Sequence, residues 1–120
     1  MHPELIRFLG ELETHFGGDE RCLGMFLSGS IGRGTTDEYS DIDVAMVIAD
    51  EHYPAVRDEL RPLCERLAGP IAAWLPEGER PGFCNYAFLF EAGEDVLLCD
   101  AEVVSEHLFL EWKLRPDRIL

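Results

Sequence analysis

The chain has 120 residues, with 24 Asp+Glu against 10 Lys+Arg and a formal net charge of −14 at pH 7. So acidic a composition speaks against a surface that grips a phosphate backbone, and hence against a template-reading enzyme or any nucleic-acid partner. A hydrophobic content of 47% supports one folded core and argues against disorder. An acidic field favours cationic partners, although solubility explains the charge equally well.

Residues 3–16 read as an amphipathic helix. Leu5, Leu9 and Leu12 fall near one stripe, and Ile6, Phe8 and Phe16 widen it. Pro3 suits the first turn and Gly17-Gly18 the end. Residues 21–28 form a first strand, its apolar run broken by Gly24. Residues 41–49 form a second, apolar on both faces after Asp43 and so expected inside the sheet. Asp50 is positioned to cap a helix running to about residue 68, with Val56, Leu60, Leu63 and Leu67 on its buried face. Pro54 fits its first turn, Pro62 should kink or divide it, and Gly69-Pro70 stops it.

Residues 71–75 read as a short strand and residues 76–82 as a loop rich in Pro, Gly and Glu. Residues 83–90 and 96–104 then form a hairpin around residues 91–95. On the second arm Leu98, Asp100 and Glu102 share one face, and Cys99, Ala101 and Val103 the other. Ser105 caps a short helix over residues 106–112, on which Phe109 and Trp112 read as core. Lys113 and Arg115 read as surface cations, and His107 as structural or exposed.

Cys22, Cys64, Cys84 and Cys99 form no C-x-x-C pair, and the four histidines are scattered. The cysteines are therefore read as small buried hydrophobes and not as zinc ligands. With no basic leader before an apolar stretch and no apolar run long enough to span a bilayer, the expectation is a reduced, cytoplasmic protein without a membrane partner.

The stretch from Leu27 to Ile48 carries the chemistry. An apolar strand runs into Gly29-Ser30, a small-residue connection follows, and Asp41 and Asp43 open the next strand. Residues i and i+2 of a strand project to one face, so the two carboxylates point together while Ile42 points away. At about 4 Å such charges repel by roughly 4 kcal/mol at an effective dielectric near 20. A cation or a shared proton relieves that repulsion. Hard oxygen ligands at this spacing suit Mg²⁺, which is commonly held by one or two carboxylates plus substrate phosphates. Gly29 leaves room for a ligand, Gly32 and Gly34 permit backbone that aims N–H groups at an anion, and Ser30 adds a hydroxyl donor. A charged residue within the apolar second arm of the hairpin also needs a partner or a cation, which nominates Asp100 as a third acid, with Glu102 as its rival.

Gly29-Ser30 followed by Ser40-Asp41-Ile42-Asp43 resembles the signature of the nucleotidyltransferase (DNA polymerase β-like) superfamily. The nearest flavour is the bacterial branch of aminoglycoside adenylyltransferases and the minimal nucleotidyltransferases of toxin–antitoxin pairs, whose pattern Arg33, Gly34 and Ser40 match. The resemblance implies the nucleotidyltransferase fold, α+β in two layers, with a mixed sheet of about five strands and helices packed on one face. It implies that Gly29 and Ser30, with Arg33 beside them, hold the triphosphate of an NTP, expected to be ATP. It implies a pair of Mg²⁺ ions on Asp41 and Asp43, completed by the third carboxylate, and transfer of NMP to a hydroxyl acceptor. That acceptor is a small molecule such as an aminoglycoside, or a side chain on a partner protein. A non-catalytic nucleotide-binding or assembly domain is the alternative of another class, against which the intact Asp41-x-Asp43 argues. Residues 117–120 read as the start of a further strand. Longer adenylyltransferases continue from there into a helical acceptor-binding domain, so residues 1–120 are expected to be a catalytic domain lacking that half, or receiving it from a second copy or a helical partner protein.

Overall fold

The computed structural model describes residues 2–28, 42–74 and 78–113. Helix α1 (Pro3–Gly17) begins with proline at its first turn, and Gly18 closes it with an N–H bonded to the Phe16 carbonyl. Its buried stripe is Leu5, Phe8, Leu9, Leu12 and Phe16. Strand β1 (Cys22–Ser28) pairs antiparallel with β2 (Ile42–Ile48), with an irregularity between Cys22 and Gly24 where the glycine interrupts the apolar run.

A single 3-10 turn at Asp50–His52 leads into α2 (Tyr53–Ala68), so the acid does not cap this helix as its position in sequence suggests. Its Oδ1 accepts instead from the backbone N–H of His107, 57 residues on, at 2.9 Å. Pro62 does not divide α2 either. Leu60, Leu63 and Cys64 are buried around it while Pro62 itself is exposed, so tertiary packing outweighs the one backbone bond that proline forfeits. Arg7 of α1 donates to the Leu67 and Ala68 carbonyls at 3.0 and 3.3 Å, closing the end of α2.

Strand β3 (Ile71–Trp74) is followed by β4 (Gly78–Arg80), a strand within what the composition suggests is loop. The hairpin is β5 (Phe83–Ala92) and β6 (Asp95–Ser105), and α3 (Glu106–Lys113) follows at once. Ala92 pairs with Asp95 across a two-residue turn in which Gly93 takes φ 65°, the left-handed value such turns require. Ser105 does cap α3, its Oγ accepting from Leu108 N–H at 3.3 Å.

These strands form a six-stranded sheet in the order β1-β2-β6-β5-β3, with β4 also on β5. The β2–β6 pair is parallel and every other pair antiparallel. It is a mixed α+β architecture. One face holds Val44, Met46 and Ile48 of β2, Cys99, Ala101 and Val103 of β6, and Phe88 and Phe90 of β5, all buried with the stripes of α1 and α2. Phe8 meets Phe88 edge-on at 5.8 Å, and Trp74 closes on Phe88 at 5.0 Å. All four cysteines are free, and Cys64, Cys84 and Cys99 are buried, as small hydrophobes should be. Among the described residues no helix is long and apolar enough to cross a membrane.

Candidate active site

The opposite face of the sheet carries the acids. Parallel pairing brings Asp43 of β2 level with Asp100 of β6, and Ala45 level with Glu102. Neighbouring strands lie about 4.8 Å apart, so Asp43 and Asp100 stand side by side, with Glu102 one pleat further along. Both arise from sequence alternation: the intervening Val44, Cys99 and Ala101 are buried on the helix side, which forces the acids to the other. Asp41, Gly29, Ser30 and Arg33 lie outside the described residues. Ser28, the last residue of β1 and the last described before Gly29, pairs with Asp43.

Asn85 is the residue that sequence reasoning missed. Its side-chain N–H₂ donates to both oxygens of Asp100, at 3.1 and 3.3 Å, and its Oδ1 accepts from Gly78 N–H at 2.9 Å. The amide thus links β4, β5 and β6 and fixes the Asp100 carboxylate in one orientation. A polar amide inside the apolar run of β5 was the available signal, but its partner depends on the hairpin register, which pairs Asn85 with Glu102 and Ala87 with Asp100.

The electrostatics follow from this crowding. The Glu102 carboxyl is pushed up to about 7, first by burial and then by the negative charges of Asp100 and Asp43, with Arg80 pulling the other way. A carboxyl that holds its proton near neutrality through burial and two neighbouring acids marks a place where a cation would be favourable. Among the described residues no three Asp, Glu, His or Cys side chains are close enough to hold an ion by themselves. A pair of carboxylates completed by substrate phosphates is nevertheless what Mg²⁺ commonly uses, so the Asp43–Asp100 donor set fits that ion.

Beyond Glu102 the face rises to α3. Phe109 stacks on Phe26 at 5.3 Å and Trp112 lies 5.6 Å from Phe83, both half-exposed at the rim where the periodicity suggests core. Gly82 makes this corner possible: it takes φ 81°, and a Cβ there would come within 2.7 Å of Ser105 Oγ. Its carbonyl accepts from Ser105 N–H at 2.8 Å, which sets the β4–β5 turn against the start of α3. Arg80, Phe83, Glu102 and Trp112 line a cavity of about 330 Å³. A hollow between Phe16, Val56 and Arg66 lies on the helix layer, away from Asp43 and Asp100. His107 is exposed, and Arg115 lies outside the described residues.

Comparison with known families matches residues 5–114 to a model described as a nucleotidyltransferase domain. Comparison with curated proteins finds no match.

Proposed function

The chain belongs to the nucleotidyltransferase domain family, and from that premise we propose that it moves AMP from ATP to an acceptor hydroxyl, with pyrophosphate leaving. The observation that supports this most is the parallel register that sets Asp43 beside Asp100, with Glu102 one pleat further on. Gly29 and Ser30 bind the phosphates, with Arg33 lending positive charge near them. Asp41, Asp43 and Asp100 would hold Mg²⁺. Bound there, Mg²⁺ supplies positive charge against the phosphates and makes a coordinated hydroxyl more acidic.

The rest is positioning by the chain. The acceptor oxygen forms a bond to the α-phosphorus while the bond from that phosphorus to the bridging oxygen breaks, and the departing electron pair leaves with pyrophosphate. The hydroxyl proton passes to a carboxylate oxygen of Asp100, which Asn85 keeps aimed. Little covalent chemistry falls to the protein, so orientation and charge carry the rate. The acceptor is a small molecule, and the protein acts in the cytoplasm.

The test is Mg²⁺-dependent release of pyrophosphate from ATP. Asp43→Asn should lower it roughly 10³-fold, because metal-borne stabilisation of the transition state is worth several kcal/mol. Asp41→Asn should behave alike, with an unchanged circular dichroism spectrum. Turnover retained in both would remove these carboxylates from the mechanism.

A further inference from the structure

Arg80 differs from most of the other described arginines. Arg7, Arg21, Arg57 and Arg61 each pair with a carboxylate, as expected where 24 acids surround 10 bases. Arg66, exposed on α2, and Arg80 have no such pair among the described residues, and Arg80 differs again in its setting. It is held by two rings instead: its charge centre lies 5.0 Å from the Phe83 ring and 5.0 Å from the Trp112 ring. Its charge also acts on the Glu102 carboxyl in the same cavity, yet no hydrogen bond or ion pair among the described residues engages its N–H fork, and that fork matches the oxygens of a carboxylate or phosphate.

The position of this fork says which substrate it serves. Ser28, the last described residue before Gly29-Ser30, pairs with Asp43 at the start of β2. Arg80 pairs with Phe83, and Phe83 with Val104, four residues along β6 from Asp100. At about 3.3 Å per residue that is roughly 13 Å down the sheet from the carboxylates. Phosphates gripped at the glycine segment lie at the other end. The far end of an acceptor whose hydroxyl reaches Asp100 would enter the cavity of Arg80, Phe83, Glu102 and Trp112.

We propose that Arg80 reads an oxyanion on the acceptor, so that the molecule modified is a hydroxyl compound carrying a phosphate or carboxylate group. This rests on the reading of the Asp43–Asp100 face as the transfer site. The overall charge of −14 makes the choice discriminating, since an anion gains nothing from the general field and is held only where a fork awaits it. A polycation, which the net charge alone would attract, meets Arg80 at this end of the cavity.

The full chain offers a direct readout, because Trp112 and Trp74 are its two tryptophans and only Trp112 lines the cavity. Titration with inorganic phosphate, acetate and spermidine is followed at the two indole N–H resonances, with and without Mg·ATP. Phosphate should shift Trp112 and leave Trp74 in place, also when Mg·ATP is bound. Arg80→Gln should weaken that response about ten-fold or more, and Arg80→Lys, which keeps the charge and loses the fork, should fall between. Calorimetry should find Mg·ATP affinity unchanged in Arg80→Gln. A phosphate response that survives Arg80→Gln, or a Trp112 response to spermidine alone, overturns the proposal. So does a loss of Mg·ATP affinity in Arg80→Gln, which would make the nucleotide's own phosphates the anion. Wild-type protein that binds no Mg·ATP overturns the transferase reading and this inference with it. Intact Mg·ATP binding with no phosphate response overturns this inference alone.

Discussion

On β6 the side chains of Cys99, Ala101 and Val103 are sealed beneath the helices, while Asp100 and Glu102, between them in sequence, look out from the other side of the sheet. The helix-covered face is a run of rings and aliphatic chains in contact, and it gains from every apolar group removed from water. The acid face has the opposite balance, with Asp43, Asp100 and Glu102 gathered at a cost that a proton, Asn85, Arg80 or a bound cation reduces. Stability is thus concentrated on one side of a sheet whose other side is electrostatically strained. Substitutions on the two faces should separate cleanly into those that move stability and those that move ligand affinity.

The largest effect should come from the covered face. Phe88 is 0% exposed and touches Phe8, Phe90 and Trp74. Phe88→Ala should cost about 3–5 kcal/mol in denaturant unfolding. A smaller loss would mean that the core is not concentrated there. Asn85→Ala should do the reverse: Mg²⁺ affinity in the presence of ATP should fall about 10- to 100-fold with little change in melting temperature, as expected when the residue that orients a ligand is lost. Equal damage to both readouts would blur the division.

The smallest effect concerns Glu102, whose carboxyl is raised from 4.5 to about 7. A group whose folded value is raised gives the fold its full support below the unfolded value and loses it as pH climbs through the folded one. Wild-type stability should therefore decline between about pH 4.5 and 7, and Glu102→Gln should flatten that decline. The gain at pH 8 should be about 1 kcal/mol once solvent screening is allowed for. Mg²⁺ with ATP should pull the Glu102 titration downward, which carbon-13 shifts of its carboxyl would record.

Local signals in the sequence carried far. The stripe of α1 apart from Ile6, which is exposed, the proline and glycine at its ends, the Ser105 cap and the alternation that turns Asp100 away from the core are all short-range features, and each appears in the structure. Features that depend on distant segments were not legible. Asp50 bonds the start of α3 and not its own helix, because β2 and β6 end side by side. The composition of β4 suggests loop, yet the edge of β5 recruits it. Asn85 and Arg80 gain meaning only once the hairpin register and the β4–β5 turn bring partners to them. Of the site itself, the Asp43–Asp100 pairing was within reach of pattern reasoning, whereas Asp41, Gly29, Ser30 and Arg33 fall outside the described residues.

The strand order has a consequence for biogenesis. β6 is the last strand in the described chain, yet it is inserted between β2 and β5. As the polypeptide leaves the ribosome, β2 has nothing on that side until residues 95–105 emerge, and closing so distant a pair is slow. The acids of β2 and β6 therefore meet only in the final step, and a prematurely terminated chain would expose an apolar strand edge without ever bringing Asp43 and Asp100 together.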